Sequence, residues 1–205
     1  MSVRSYLDDS DGLIIADASV AINLHATGVS ELILDVLPSR VAVVEEVVRE
    51  LEAGPQRGSV EANSFEELVA SGRMDVAELG DCGIGYFTDL VSGLAAETLD
   101  DGEAATIAYA LEHNAMAIID ERKANRICTE RFGTLRTACT VDLLTQSAVQ
   151  QALGPQGLAD AVFSALCYGR MRIPAHHMDW ILDLIGPERA AQCNSLPMSI
   201  RARLS

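Results

Sequence analysis

Two short, uniformly apolar runs, Leu13-Ile14-Ile15-Ala16 and Ala115 to Ile119, each end on an aspartate, Asp17 and Asp120. A strand without polar alternation is buried on both faces, as in a parallel sheet covered by helices. Between these runs lie longer stretches with helical periodicity, so the chain reads as α/β, with a central parallel sheet flanked by helices on both faces. Ligands of such sheets bind beyond the carboxyl ends of the strands, at the point where strand order reverses. Asp17 and Asp120 both stand at that end, which brings them together although 103 positions separate them.

The remaining elements follow from periodicity and punctuation. Ser19 is placed to cap a helix running through Asn23 and Leu24, and a second helix from Ser30 to Leu37 stops at Pro38. Arg40 to Val44 reads as strand and Glu45 to Ala53 as helix, closed by Gly54-Pro55. Then come a helix near Ser64 to Ala70, a strand near Met74 to Ala77, a helix near Gly85 to Leu94 and another opening at Leu99-Asp100-Asp101-Gly102-Glu103 and running to about Asn114. Helix from Lys123 to Arg131 and strand near Leu135 to Thr140 precede three expected helices, Val141 to Ala152, Gly157 to Cys167 and Ala175 to Ile185.

Common occupants of this architecture fail one by one. The Asp17 to Leu24 loop has no glycine for a dinucleotide fingerprint, and Gly83-Ile84-Gly85 is followed by Thr88 where a third glycine is needed. Lys123 is the only lysine and follows no Gly-rich phosphate loop, while Asp17-Ala18-Ser19 lacks the second aspartate of an aspartyl phosphatase. Five cysteines without a C-x-x-C pair argue against a disulfide scaffold or a thiolate zinc site and suit a reducing cytoplasm. The acidic start MSVRSYLDDSDG is no signal peptide, and the apolar runs are too short to span a bilayer, so a cytoplasmic protein with no membrane partner is expected.

Charge is uneven. Net charge is -15, which excludes coating nucleic acid by bulk attraction, yet residues 1–121 carry 5 basic and 24 acidic residues and residues 122–205 carry 10 basic and 6 acidic. Arg122, Lys123, Arg126, Arg131 and Arg136 have only Glu130 as a local acid. By charge alone this is a solvated helix face or a phosphate-contacting surface.

What remains is a set of carboxylates: Asp17, Glu50, Asp101, Glu103, Asp120 and Glu121. Gathered at one sheet edge they suit Mg²⁺ or Mn²⁺, hard ions that take oxygen ligands. Taken singly, Asp100 to Glu103 could merely cap a helix and Glu50 could lie on the surface.

The segments I-I-A-D-A-S-V-A-I-N-L, V-V-E-E-V-V-R-E-L-E, L-D-D-G-E-A-A-T-I-A-Y-A-L-E and A-I-I-D-E-R-K-A-N-R, in this order, resemble the PIN domain, the metal-dependent ribonuclease fold of many toxin-antitoxin toxins. The resemblance runs from about Leu13 to Thr140. The tail M-R-I-P-A-H-H-M-D-W-I-L-D-L-I is similar to a branch of predicted nucleic-acid-binding proteins related to VapC toxins. It implies a weakly ordered N-terminus at 1–12, a PIN-like nuclease domain at 13–140 and a helical extension at 141–205 packed on it.

By the same resemblance the catalytic acids are Asp17, Glu50, Glu103 and Asp120, with Asp101 and Glu121 as further metal ligands and Ser19 in the family's Ser/Thr place. Asp120 is the expected direct ligand and Glu121 its helper. The cluster would hold one or two Mg²⁺ or Mn²⁺ ions that activate a water against an RNA phosphodiester. Arg122, Lys123 and Arg126 directly follow the fourth acid and would hold RNA phosphates. The expected protein is an endoribonuclease, the toxin of a toxin-antitoxin pair, homodimeric and partnered by an antitoxin. The alternative is a PIN fold that has lost cleavage and only binds. His176-His177 with Asp179 resembles a metal cluster, but adjacent histidines diverge, so they read as surface or packing residues; Trp180, Ile181, Leu184 and Ile185 read as the apolar face of a C-terminal helix.

Overall fold

The computed structural model describes residue 7, residues 12–53 and residues 60–204. Among them five strands form one parallel sheet in the order β3-β2-β1-β4-β5: β1 Leu13–Ala16, β2 Arg40–Val44, β3 Met74–Ala77, β4 Met116–Ile118 and β5 Thr137–Ala138. The chain builds outward from β1 to β3 and then crosses back to place β4 on the other side of β1. That reversal is the switch point expected from the sequence. In register, Ala16 lies opposite Ile118, so Asp17 and Asp120 leave neighbouring strands at nearly the same level. Both strands are apolar throughout because helices cover both faces; Ile15, Ala16, Ala117 and Ile118 are fully buried.

The helices are α1 Ala18–Ala26, α2 Ser30–Val36, α3 Glu45–Ala53, α4 Val60–Ala70, α5 Asp81–Val91, α6 Asp101–His113, α7 Arg122–Arg131, α8 Thr140–Leu144, α9 Ser147–Ser164, α10 Met178–Gln192 and α11 Met198–Leu204. A π-turn, Ala165–Gly169, follows α9, and a 3₁₀ turn, Ala175–His177, leads into α10. None of the described helices is long and apolar enough to cross a membrane. One continuous core joins the sheet to the C-terminal helices through Val141, Leu143, Leu144, Val162, Ile181 and Ile185. Leu7 also joins that core, whereas most of residues 1–12, expected to be weakly ordered, lie outside the described residues, as does the Gly54-Pro55 break.

Several expectations are corrected. Ser19 does not cap α1; Asp17 does, in extended backbone, by accepting the Val20 N–H. The strand has one extended residue left when the chain turns, and its short carboxylate reaches the third helical amide. Helix α5 begins at Asp81, not Gly85, because α6 supports its start: the Gly80 N–H donates to Glu112 Oε2 at 2.9 Å. Strand β5 stops at Ala138, since Cys139 becomes the N-cap of α8 and Thr140 turns inward. Helix α10 runs on to Gln192, and α11 was not expected from the pattern. Within α9 and α10, Gly154 and Gly186 sit at φ 65° and 76°, each before a proline. Each pair ends one helix in the left-handed region and starts the next on a preset φ.

Candidate metal centre

Asp17 is 2% exposed and Asp120 8%. Asp17 Oδ1 accepts from the Ser19 hydroxyl and the Val20 N–H, both at 2.8 Å, while its Oδ2 has no partner among the described residues. Asp120 is clamped from two sides: Oδ1 accepts the Thr140 N–H at 2.8 Å, and Oδ2 accepts the Thr140 hydroxyl and Asn23 Nδ2, both at 2.6 Å. Burial first, and then the charge of Asp120, push the Asp17 carboxyl up to about 8 against the lowering effect of its two donors. Asp120 is also raised, burial outweighing the Thr140 and Asn23 hydrogen bonds. Two buried carboxylates thus face each other, held by neutral donors.

Glu103 adds a third acid from the first turn of α6. Its backbone is fixed by Asp100, the N-cap of α6, whose Oδ1 accepts the Glu103 N–H at 2.9 Å. Burial, then Asp100 and Glu121, raise the Glu103 carboxyl to about 7, with Lys123 opposing. Glu50 arrives from α3, which packs on α6, and its Oε2 presses against Gly102 where any Cβ would collide. Gly102 therefore admits Glu50 to the mouth of the site. Burial, followed by Asp100 and Asp101, raises Glu50 as well. Asp101 is exposed and lines the outer groove between α3 and α6 with Glu46 and Glu50. Glu46, one helical turn before Glu50, keeps Oε2 buried and unpartnered.

The adjacent acids at the end of β4 diverge. Asp120 turns inward, whereas Glu121 pairs with Arg172 at 2.7 Å, toward the segment after the π-turn. The basic residues also divide. Lys123 Nζ donates to the Ala95 carbonyl at 2.7 Å, and Arg126 donates to the Ala96 carbonyl at 2.8 Å while pairing with Glu130. These two fasten the loop between α5 and α6. Arg122 is exposed and lines a cavity beside Asp120.

Sequence reasoning missed the residues that hold Asp120, Asn23 and Thr140. An asparagine on the buried face of α1 and a threonine directly after the last strand were the available signals. It also missed a buried trio. His177 is fully buried with Nε2 3.0 Å from Asp142 Oδ1, and Asp142 Oδ2 accepts from the Cys139 N–H at 2.9 Å and from its thiol at 3.1 Å. These three donors and acceptors lie within 4.8 Å of one another, a spacing that would also suit a metal. Burial, and next the Asp142 charge, push the Cys139 thiol upward, so it stays protonated and donates to Asp142. As arranged here, the trio is hydrogen-bonded and braces α8. His176 and Asp179 stay exposed, while Ile181 and Ile185 are buried and Trp180 half-buried, as an apolar helix face should be.

A search of curated proteins finds no match. Among solved structures, VapBC2 from Rickettsia felis, crystallised with a DNA fragment from its promoter, is similar at a TM-score of 0.43 and 15% identity, covering 62% of this chain and 98% of that one. A family profile described as a PIN domain matches residues 13–187, which takes in the whole sheet, all the acids above and most of the C-terminal helices. The chain belongs to the PIN domain family.

Proposed function

We propose that the protein is a divalent-metal-dependent endoribonuclease whose acids Asp17, Glu50, Glu103 and Asp120 hold Mg²⁺ or Mn²⁺, and that it serves as the toxin of a toxin-antitoxin pair. The observation that carries this reading is the meeting of Asp17 and Asp120 at the switch point, buried and with no cationic side chain among the described residues bonded to either. The donor set suits a hard ion: every candidate ligand is a carboxylate oxygen, and Asp17 Oδ2 has no partner among the described residues. A bound ion would lower the pKa of a water and offset charge on the phosphoryl oxygens.

The chain's own residues do the rest. Ser19 and the Val20 amide fix the rotamer of Asp17, and Asn23 with Thr140 fix Asp120, so both oxygens are preorganised. Glu103, raised to about 7 by burial and its acidic neighbours without metal, would be drawn to the ionised form by a bound cation and so serve as a ligand. Arg122, exposed beside Asp120, offers a phosphate contact. Strong net acidity favours selection of a particular RNA over free degradation. A homodimer belongs to the same proposal.

The test is cleavage of total RNA by purified protein with Mg²⁺ or EDTA, with cut sites mapped and Asp17→Asn as control. Cleavage that needs metal and is lost in Asp17→Asn is expected. Metal-independent RNA binding without any cleavage would leave a binding module instead, and a genomic neighbour encoding a small DNA-binding protein would mark the antitoxin.

A further inference from the structure

Beside Asp120 lies a cavity of about 350 Å³, lined by Cys139 and Asp142 and by Ile173, Pro174 and His176 of the segment that crosses from the π-turn to α10. A second, about 610 Å³, runs from it toward Ser195 and Ile200. The two share Arg122, Arg172 and Ile173, so both guanidinium groups stand on the divide between them. The first cavity begins at a candidate metal ligand, carries two arginines at its mouth and has apolar walls in Ile119, Ala138 and Ile173. Its side wall includes Asn125, whose Nδ2 donates to the Ile119 and Glu121 carbonyls at 2.8 and 3.0 Å. Those bonds fix the carboxamide and leave Oδ1 as an acceptor without a partner among the described residues.

We infer that this cavity is a nucleotide pocket, which takes one unstacked base of a single-stranded RNA beside the cleaved phosphate while Arg122 and Arg172 hold that nucleotide's phosphate. The identity of the polymer rests on the ribonuclease reading above; the pocket itself rests on the cavity. Its size lies at the lower end of small-molecule sites, a single nucleotide rather than a folded element. RNA is read in sequence through splayed bases that stack on imidazole or guanidinium planes and bond along their edges. The His176 ring supplies such a plane, and Asn125 Oδ1 offers an acceptor to an N–H on the base edge. Glu121 bonds Arg172 in the empty pocket and keeps that guanidinium at the mouth.

The experiment is titration of the protein in EDTA with the four nucleoside 5′-monophosphates and with ribose 5-phosphate, followed by calorimetry and by the backbone amide shifts of Cys139, Ile173 and His176. At least one of the four nucleotides should bind tenfold or more tighter than ribose 5-phosphate and move those amides. Ile173→Trp, which fills the cavity, should weaken that nucleotide at least tenfold, and Arg172→Ala should weaken nucleotide and ribose 5-phosphate alike. Equal binding of ribose 5-phosphate and all four nucleotides, or shifts confined to other residues, would overturn the pocket, even if Ile173→Trp failed to fold. Because no metal or cleavage is involved, the outcomes separate. A protein that cleaves RNA yet ignores nucleotides loses the pocket and keeps the nuclease; one that binds nucleotides yet never cleaves does the reverse.

Discussion

Asn23 donates through Nδ2 to Asp120 Oδ2 at 2.6 Å, linking the first helix to the end of the fourth strand across 97 positions of sequence. The bond is buried, and the other end of the same carboxamide, Oδ1, is buried without a partner among the described residues. An unpaired buried carbonyl has a cost, so the orientation is retained for what the amino group does to Asp120. Asn23→Ala should lower Mg²⁺ affinity by about tenfold or more, in line with other groups that orient a metal ligand. Calorimetric Mg²⁺ titration measures this, and Asn23→Gln, with its longer arm, should not restore it.

Asp17 makes the metal-free protein sensitive to pH. Its carboxyl titrates near 8 in the fold and near 3.8 when free, so between these values the native state binds more protons than the unfolded chain. Stability then falls as pH rises through that window. The metal-free protein should melt at a lower temperature at pH 8 than at pH 5, Asp17→Asn should flatten that dependence, and Mg²⁺ should raise the melting temperature at pH 8 in the wild type only. A steeper dependence in Asp17→Asn would contradict the burial argument.

The two acids after β4 should separate cleanly. Asp120→Asn keeps the shape but removes a buried charge held by three hydrogen bonds, and metal-dependent cleavage should fall by at least a hundredfold. Glu121→Gln breaks a partly exposed pair with Arg172, worth about 0–1 kcal/mol, and should change melting little. Cleavage rates at saturating Mg²⁺ decide between them; loss in Glu121→Gln alone would move the essential acid by one residue.

The centre of the sheet was legible in the sequence because β1 and β4 lie in short apolar runs closed by Asp17 and Asp120, and β2, α3 and β3 take the bounds the pattern implies. Asp17 and Asp120 were legible because each follows the end of an apolar strand run, where the two must meet if the sheet is parallel. What holds those acids was not. Asn23, Thr140 and His177 act through partners 97, 20 and 35 positions away, and local periodicity carries no information about such pairs. The basic segment was legible as charge but not as geometry: Lys123 and Arg126 are spent on the Ala95 and Ala96 carbonyls, and Arg122 is left beside Asp120. The C-terminal helices were misjudged in extent because Gly-Pro junctions restart a helix as readily as they end one.

Asp142 and His177 join the strand side of the fold to the segment that covers the cavity, and both are almost wholly buried. Burial disfavours the Asp142 carboxylate, but the His177 hydrogen bond and the Cys139 N–H and thiol overcome it and hold its pKa below the ordinary value. A depressed acid contributes stability above its unfolded pKa, near 3.8, and that contribution is lost as pH falls through the lower folded value. His177→Ala leaves the carboxylate buried with fewer donors and opens a hole, so it should cost about 3–5 kcal/mol and move acid unfolding to higher pH. Replacing both residues, as Asp142→Leu with His177→Phe, removes the unpaired charge along with its partner, and the double variant should lose less than the sum of the two single losses. Urea unfolding at pH 7 and pH 4 measures both effects. If the trio were instead a metal site, EDTA would lower the melting temperature of the Asp17→Asn protein; with the hydrogen-bonded arrangement, EDTA should leave it unchanged.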